Sequence, residues 1–137
     1  MGLNKSSQVS VELITLLFIL TALFLVVLSV SDHREAQLAG VKLYLSAKDI
    51  GDKVAWNINT AVISGFGSKR TFYLPAKLSD GSSYNVTINA ATRAVIVTWK
   101  TRHYSSPLLT SNVVGNTSLS MGEINVTNVL GQINVTQ

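Results

Sequence analysis

Apolar residues fall along this chain in three different rhythms. Leu13 to Val30 reads LITLLFILTALFLVVLSV, eighteen residues without a charge and without a polar stripe. An α-helix of that length spans about 27 Å, close to the hydrocarbon thickness of a bilayer. A core helix of a soluble protein keeps one wet face, and this stretch has none. From Ser31 to Thr60 there is no proline, and the rhythm changes. Leu38, Val41 and Leu45, then Ala47, Ile50, Val54, Ile58, Ala61 and Val62, recur mostly in steps of three and four. They predict one inward helical face, with Lys42, Lys48, Asp49, Asp52 and Lys53 largely off it. Asp49 and Lys53 stand at i, i+4, a pair worth roughly 0.2–0.5 kcal/mol. Gly40 and Gly51 weaken or bend the helix. One long helix is expected from about Ser10 to about Ile63, ended by the breaker run Ser64-Gly65-Phe66-Gly67-Ser68.

Beyond that loop the period becomes two. Thr71 to Leu74 is β-branched and aromatic, and Pro75 closes it. Tyr84, Val86 and Ile88 alternate with polar residues and, through Ala90-Ala91-Thr92-Arg93, pair with Ala94 to Trp99 as a hairpin. Leu108 to Val114 is a further candidate strand. The motif I-N-V-T occurs twice, at Ile124–Thr127 and Ile133–Thr136, which reads as a second hairpin. The expected fold class is therefore α+β: a long N-terminal helix packed on a small antiparallel β-sheet head of about five or six strands. The segments are residues 8–31 (apolar half-helix), 32–65 (amphipathic half-helix) and 66–137 (β-rich head), behind a polar leader at 1–7.

The chain has 137 residues, room for one modest domain beside the apolar helix. With no cysteine, neither a disulfide framework nor a thiolate metal site can form. The net charge of +4 comes from 11 basic and 7 acidic residues. The cations are scattered, with Lys69-Arg70 the one adjacent pair in the body, so no nucleic-acid footprint is expected. Catalysis and metal binding find little material. His33 and His103 lack a partner at metal spacing, and Asp49 and Asp52 read as solvated helix residues. No glycine-rich phosphate loop or G-x-S-x-G motif is present. No cofactor is expected.

The junction before the apolar run carries the most specific signal. In QVSVELITL, Gln8, Ser10, Glu12 and Leu16 stand at the spacing Q-x-S-x-E-x-x-x-L. This resembles the class III signal peptide of archaeal type IV pilin-like proteins. The resemblance implies cleavage between Ser7 and Gln8 by a dedicated prepilin peptidase, with the hydrophobic helix kept. Glu12 then becomes the fifth mature residue, where such pilins carry a glutamate. A cation and a glycine often precede the cut in that family, whereas Lys5 here is followed by Ser6-Ser7.

A secretory signal would instead place a small-residue cleavage site after the apolar run, and Ser29-Val30-Ser31-Asp32-His33 does not offer one. The positive-inside signal is thin, so the resemblance supplies the topology: N-terminus cytoplasmic, head outside, and an extracellular filament after assembly. Implied partners are membrane lipid before assembly and copies of itself or other pilins through the N-terminal helix. Glu12 has two readings. It meets the positive end of the helix dipole in the headgroup region, or it pairs with the α-ammonium of Gln8 on a neighbouring subunit and sets axial register.

Four N-x-[ST] sequons lie in the body, at Asn85, Asn116, Asn125 and Asn134, and a fifth at Asn4 falls in the leader. They are candidate N-glycosylation sites, although alternation in a strand also places Asn and Thr on a wet face. The expected function is structural, a major or minor filament subunit for adhesion or surface attachment. The alternatives are a membrane-anchored accessory or stator-like module of an archaellum or secretion machine and, last, a tethered binding domain for a soluble ligand.

Overall fold

The computed structural model describes the backbone of residues 5–137, with side chains described for residues 11–30 and 37–137. One helix, α1 (Lys5–Ile63), precedes eight strands. These are β1 (Lys69–Leu74), β2 (Asn85–Asn89), β3 (Ala94–Trp99), β4 (Arg102–Pro107), β5 (Val113–Gly115), β6 (Ser118–Leu119), β7 (Gly122–Val129) and β8 (Gln132–Thr136). The chain divides into two units, one ending at Ala39 and the other running Gly40–Gln137. The α+β class is the one expected.

The second unit holds two four-stranded sheets rather than one small sheet. The first has the order β1-β7-β8-β5 and the second β4-β3-β2-β6. Both expected hairpins form, β2–β3 and β7–β8. Every pairing is antiparallel except β5 with β8, which is parallel. Three strands escape the pattern of two. β5 and β6 are too short to display a period, and β4 (RHYSSP) has no apolar alternation. Of Leu108 to Val114, only the end joins a strand.

The two I-N-V-T motifs explain each other. In the β7–β8 register Asn125 faces Thr136, Thr127 faces Asn134, and Val126 faces Val135. Ile124, Val126, Ile133 and Val135 are fully buried, so each motif sends its branched residues inward and its amide and hydroxyl outward. The core continues through Phe72 and Leu74 of β1, Val86 and Ile88 of β2, and Val95, Val97 and Trp99 of β3. Into it the helix inserts Leu43, Ala47, Ile50, Val54, Ala55, Ile58 and Ala61.

The helix face differs from expectation in its first turns. Leu38, Val41 and Leu45 are exposed, and Leu43 is buried instead. Leu45 lies about 200° around the helix from Leu43, so both faces are apolar here and periodicity alone selects neither. Close approach selects. A Cβ on Gly51 would come within 2.9 Å of the Tyr104 ring and 3.1 Å of Val97. The small residues Ala47, Gly51 and Ala55 thus mark the side where the second sheet can close. Tyr44 leans on the same contact, with ring centroids 6.3 Å from Trp99 and 5.9 Å from Tyr104. The Asp49–Lys53 pair does not form: Lys53 Nζ donates to the Tyr73 carbonyl at 3.0 Å. Among the described residues the ion pairs are Lys48–Asp52 and Lys100–Asp80.

A buried asparagine ties the far end of the helix to the first sheet. Asn128 Nδ2 donates to the Ala61 carbonyl at 3.0 Å, and its Oδ1 accepts the Gly131 N–H at 3.0 Å. Its backbone also bonds Gly67 and Ser68, each at 2.9 Å. Asn128→Ala strips both side-chain bonds from a site closed to water. It should destabilise the protein by about 1–3 kcal/mol, read as a lower midpoint in chemical denaturation, whereas Asn125→Ala on the wet face should cost less.

Candidate functional site

Among the described residues one helical segment, Val11–Val30, is long and apolar enough to cross a membrane. Every side chain in it is exposed. A soluble helix would cover such a surface, because roughly 25 cal/mol is gained for each Å² of apolar area removed from water. Two of its polar residues are already satisfied. Thr15 Oγ1 donates to the Val11 carbonyl and Thr21 Oγ1 to the Leu17 carbonyl, each at 2.8 Å. Hydroxyls folded back this way need no outside partner, as an apolar solvent demands.

The sequence motif straddles the edge of the described side chains. Glu12 and Leu16 stand one helical turn apart, on one face, and line an open groove with Val11, Thr15, Ile19 and Leu20. Ser7, Gln8 and Ser10 lie within the span of α1, but their side chains are outside the described residues. The expected leader, residues 1–7, falls partly outside too, since residues 1–4, Asn4 among them, are not described. Glu12 is thus the one carboxylate of the exposed apolar segment, at its first turn.

The four sequons sit differently. Asn125 and Asn134 are half-buried on interior strands of the first sheet. Asn125 Oδ1 accepts the Thr71 hydroxyl at 2.7 Å. Asn85 is exposed, and its Oδ1 accepts the Ser118 hydroxyl at 3.1 Å. Ser118 is the third residue of the Asn116 sequon, so those two sequons lie side by side. Asn116 itself is exposed in the link between β5 and β6, outside any strand.

Sequence reasoning missed one polar cluster. Asp52, read as a solvated helix residue, instead faces β4. Its Oδ1 accepts the Tyr104 hydroxyl at 2.7 Å and the Ser106 hydroxyl at 2.8 Å. Lys48 bonds Asp52 and also reaches Tyr104 OH at 3.2 Å. Partial burial pushes the Asp52 carboxyl up, but the bonds from Lys48, Tyr104 and Ser106 outweigh it and leave it below its ordinary value. The bond to Asp52, then that to Tyr104, raises Lys48. The cluster fastens a strand that has little apolar surface of its own. A signal for it existed in the Tyr104-x-Ser106 alternation, which puts both hydroxyls on one strand face.

Elsewhere on the head, the Ser82 hydroxyl and N–H, then Lys100, hold Asp80 down at about 2. His103 is exposed, and the described residues hold no cluster of three or more metal-ligating side chains.

No protein-family model, curated protein or solved structure matches this chain.

Both Asp52 and Asp80 have folded values below their ordinary 3.8. Each contributes stability that is complete above that value and is lost as pH falls through the lowered one. The thermal midpoint should therefore hold down to about pH 4 and fall between there and about pH 2. Asp52→Asn should lower the midpoint at neutral pH and flatten that acid slope, checked by melting across a pH series.

Proposed function

We propose that this chain is a structural subunit, major or minor, of an archaeal type IV pilus-like surface filament serving adhesion or surface attachment. The observation that carries this reading is Glu12 at the first turn of a wholly exposed apolar segment, at the spacing Gln8–Ser10–Glu12–Leu16. A prepilin peptidase removes Met1 to Ser7, and the new chain begins at Gln8. Val11–Val30 rests in lipid while the subunit is stored, with the head outside. It then exchanges lipid for the same segment of neighbouring subunits.

The carboxylate makes that exchange selective. A charge at full membrane depth costs about 2.5–3.5 kcal/mol, less near the interface. Glu12 sheds that cost by meeting the α-ammonium of Gln8 on the next subunit, and the pair fixes axial register. The back-bonded Thr15 and Thr21 suit both surroundings.

The reading also exposes the head to extracytoplasmic glycosylation. Asn116, held in a connection rather than a strand, is expected to be modified ahead of Asn125 and Asn134. Intact-mass measurement of the exported protein should then exceed the polypeptide mass, and Asn116→Gln should remove the largest share. A bare polypeptide mass retires this part.

The filament itself is tested by shearing cells and probing the released fibres. Wild-type protein is expected there. Glu12→Ala should be processed and membrane-bound yet depleted at least tenfold from the sheared fraction. Normal fibres from Glu12→Ala would remove the role given to Glu12, and wild-type protein held wholly in membranes would favour an accessory, stator-like module instead.

A further inference from the structure

Four basic residues that are far apart in the sequence meet at one end of the head. The second unit begins at Gly40 of α1, and Lys42 is exposed in the first turn there. One turn on, the Ser46 hydroxyl accepts the Ser79 N–H at 3.3 Å, which brings the loop after β1 to the same end. That loop carries Lys77, also exposed. Tyr44 meets Trp99, the last residue of β3, with ring centroids 6.3 Å apart. Trp99 faces Arg102 across the β3–β4 turn, and Lys100 in that turn reaches Asp80 of the loop at 3.1 Å.

Most of this charge is uncommitted. Lys42, Lys77 and Arg102 make no side-chain hydrogen bond or ion pair among the described residues. Elsewhere Lys48 is held by Asp52, Lys53 by the Tyr73 carbonyl, and Arg70 lies over the Trp56 ring. The acids do not cancel the group. Asp80 is taken by Lys100. Asp49 stands two turns beyond Lys42, about 10 Å along the helix. Glu123 faces Tyr73, whose carbonyl is held by Lys53, three turns beyond Lys42. Lys69 and Arg93, the other unpaired cations of the head, belong to the far end. Ser68 bonds Ala61, and the Arg93 carbonyl accepts the Leu108 N–H next to Leu109, which bonds Asn59.

An end with excess positive charge that its own fold leaves unneutralised fits an anionic surface. Position says which one, because this is the end from which the chain runs back to the apolar span. Lys42 follows Val30 by twelve residues, about 18 Å along α1. The headgroup layer takes up about 5–7 Å of that, and the screening length at physiological salt is about 8 Å. A lysine or arginine side chain closes the remainder. Between span and head, Asp32, Arg34 and Glu35 nearly cancel.

We propose that this basic end rests on anionic lipid headgroups of the membrane that holds the chain's own apolar helix, an inference that rests on the membrane-stored subunit of the filament reading. The contact keeps the head on the bilayer during storage and is lost when the helix leaves lipid.

The absence of cysteine leaves one labelling position free to choose. Full-length Thr101→Cys, carrying a fluorescent donor, is reconstituted into vesicles of phosphatidylcholine alone or with about one third phosphatidylglycerol, each with a headgroup-linked acceptor. Energy transfer should rise at least threefold with the anionic lipid, and raised salt should remove the rise. Adding Lys42→Gln, Lys77→Gln and Arg102→Gln to that chain should abolish the rise and leave the thermal midpoint unchanged, since none of the three side chains holds the fold. Equal transfer in the two vesicles, or a rise that the triple variant keeps, overturns the contact and leaves the sheared fibres standing. A rise in protein that never enters sheared fibres supports the contact and removes only the filament. Detergent-solubilised protein that binds alginate through the same three cations, with no approach to phosphatidylglycerol, has an acidic glycan as its partner, which overturns the proposal.

Discussion

The head is organised by one requirement: the stretch of α1 from Leu43 to Ala61 has to bury a face against two sheets at once. Alanine and glycine meet it. Ala47, Gly51, Ala55 and Ala61 keep the face low, so that at Gly51 the Tyr104 ring and the Val97 side chain close in, while Ile50, Val54 and Ile58 join the core shared with both sheets. The polar contacts are arranged around that seam. Asp52 and Asn59 bond β4 or the residues just after it, and Lys53 and Ala61 bond the first sheet. Among the described residues no buried side-chain polar atom lacks a hydrogen bond, so the seam closes without an unpaired group.

Local rhythm announced the helix, its end, both hairpins and the α+β class, because each is written in contiguous residues. It did not announce features decided by distant partners. The parallel β5–β8 pair joins Val113–Gly115 to Ile133–Val135, and nothing in either segment alone points to the other. β4 exists because β3 supplies its ladder and Asp52 its polar anchor. Val41 and Leu45 repeat with a helical period as cleanly as Leu43 and Ala47, so only packing at Gly51 tells inward from outward. That failure is informative, since an apolar face turned to solvent is what the inward assignment would have concealed.

The candidate site was legible to a different degree. The apolar span and the place of Glu12 at its start can be read directly from residues 11–30. The sequons could be found by pattern, but their settings could not. That Asn125 lies opposite Thr136 while Asn116 stands in a link depends on register, which the motif does not encode. Asp52 was misread because one helix carries acidic residues on more than one side, and only β4 distinguishes it from Asp49.

The back-bonded threonines of the apolar helix have a further meaning. With Thr15 and Thr21 satisfied by Val11 and Leu17, the hydroxyls make no claim on a neighbour. Such a segment can slide or rotate against an apolar surrounding without breaking a polar contact. Its side chains alone therefore discriminate poorly between one alignment and the next. Under the filament reading proposed above, the information that selects an alignment is concentrated at its ends, in a single carboxylate on one side and in the shape of a folded head on the other.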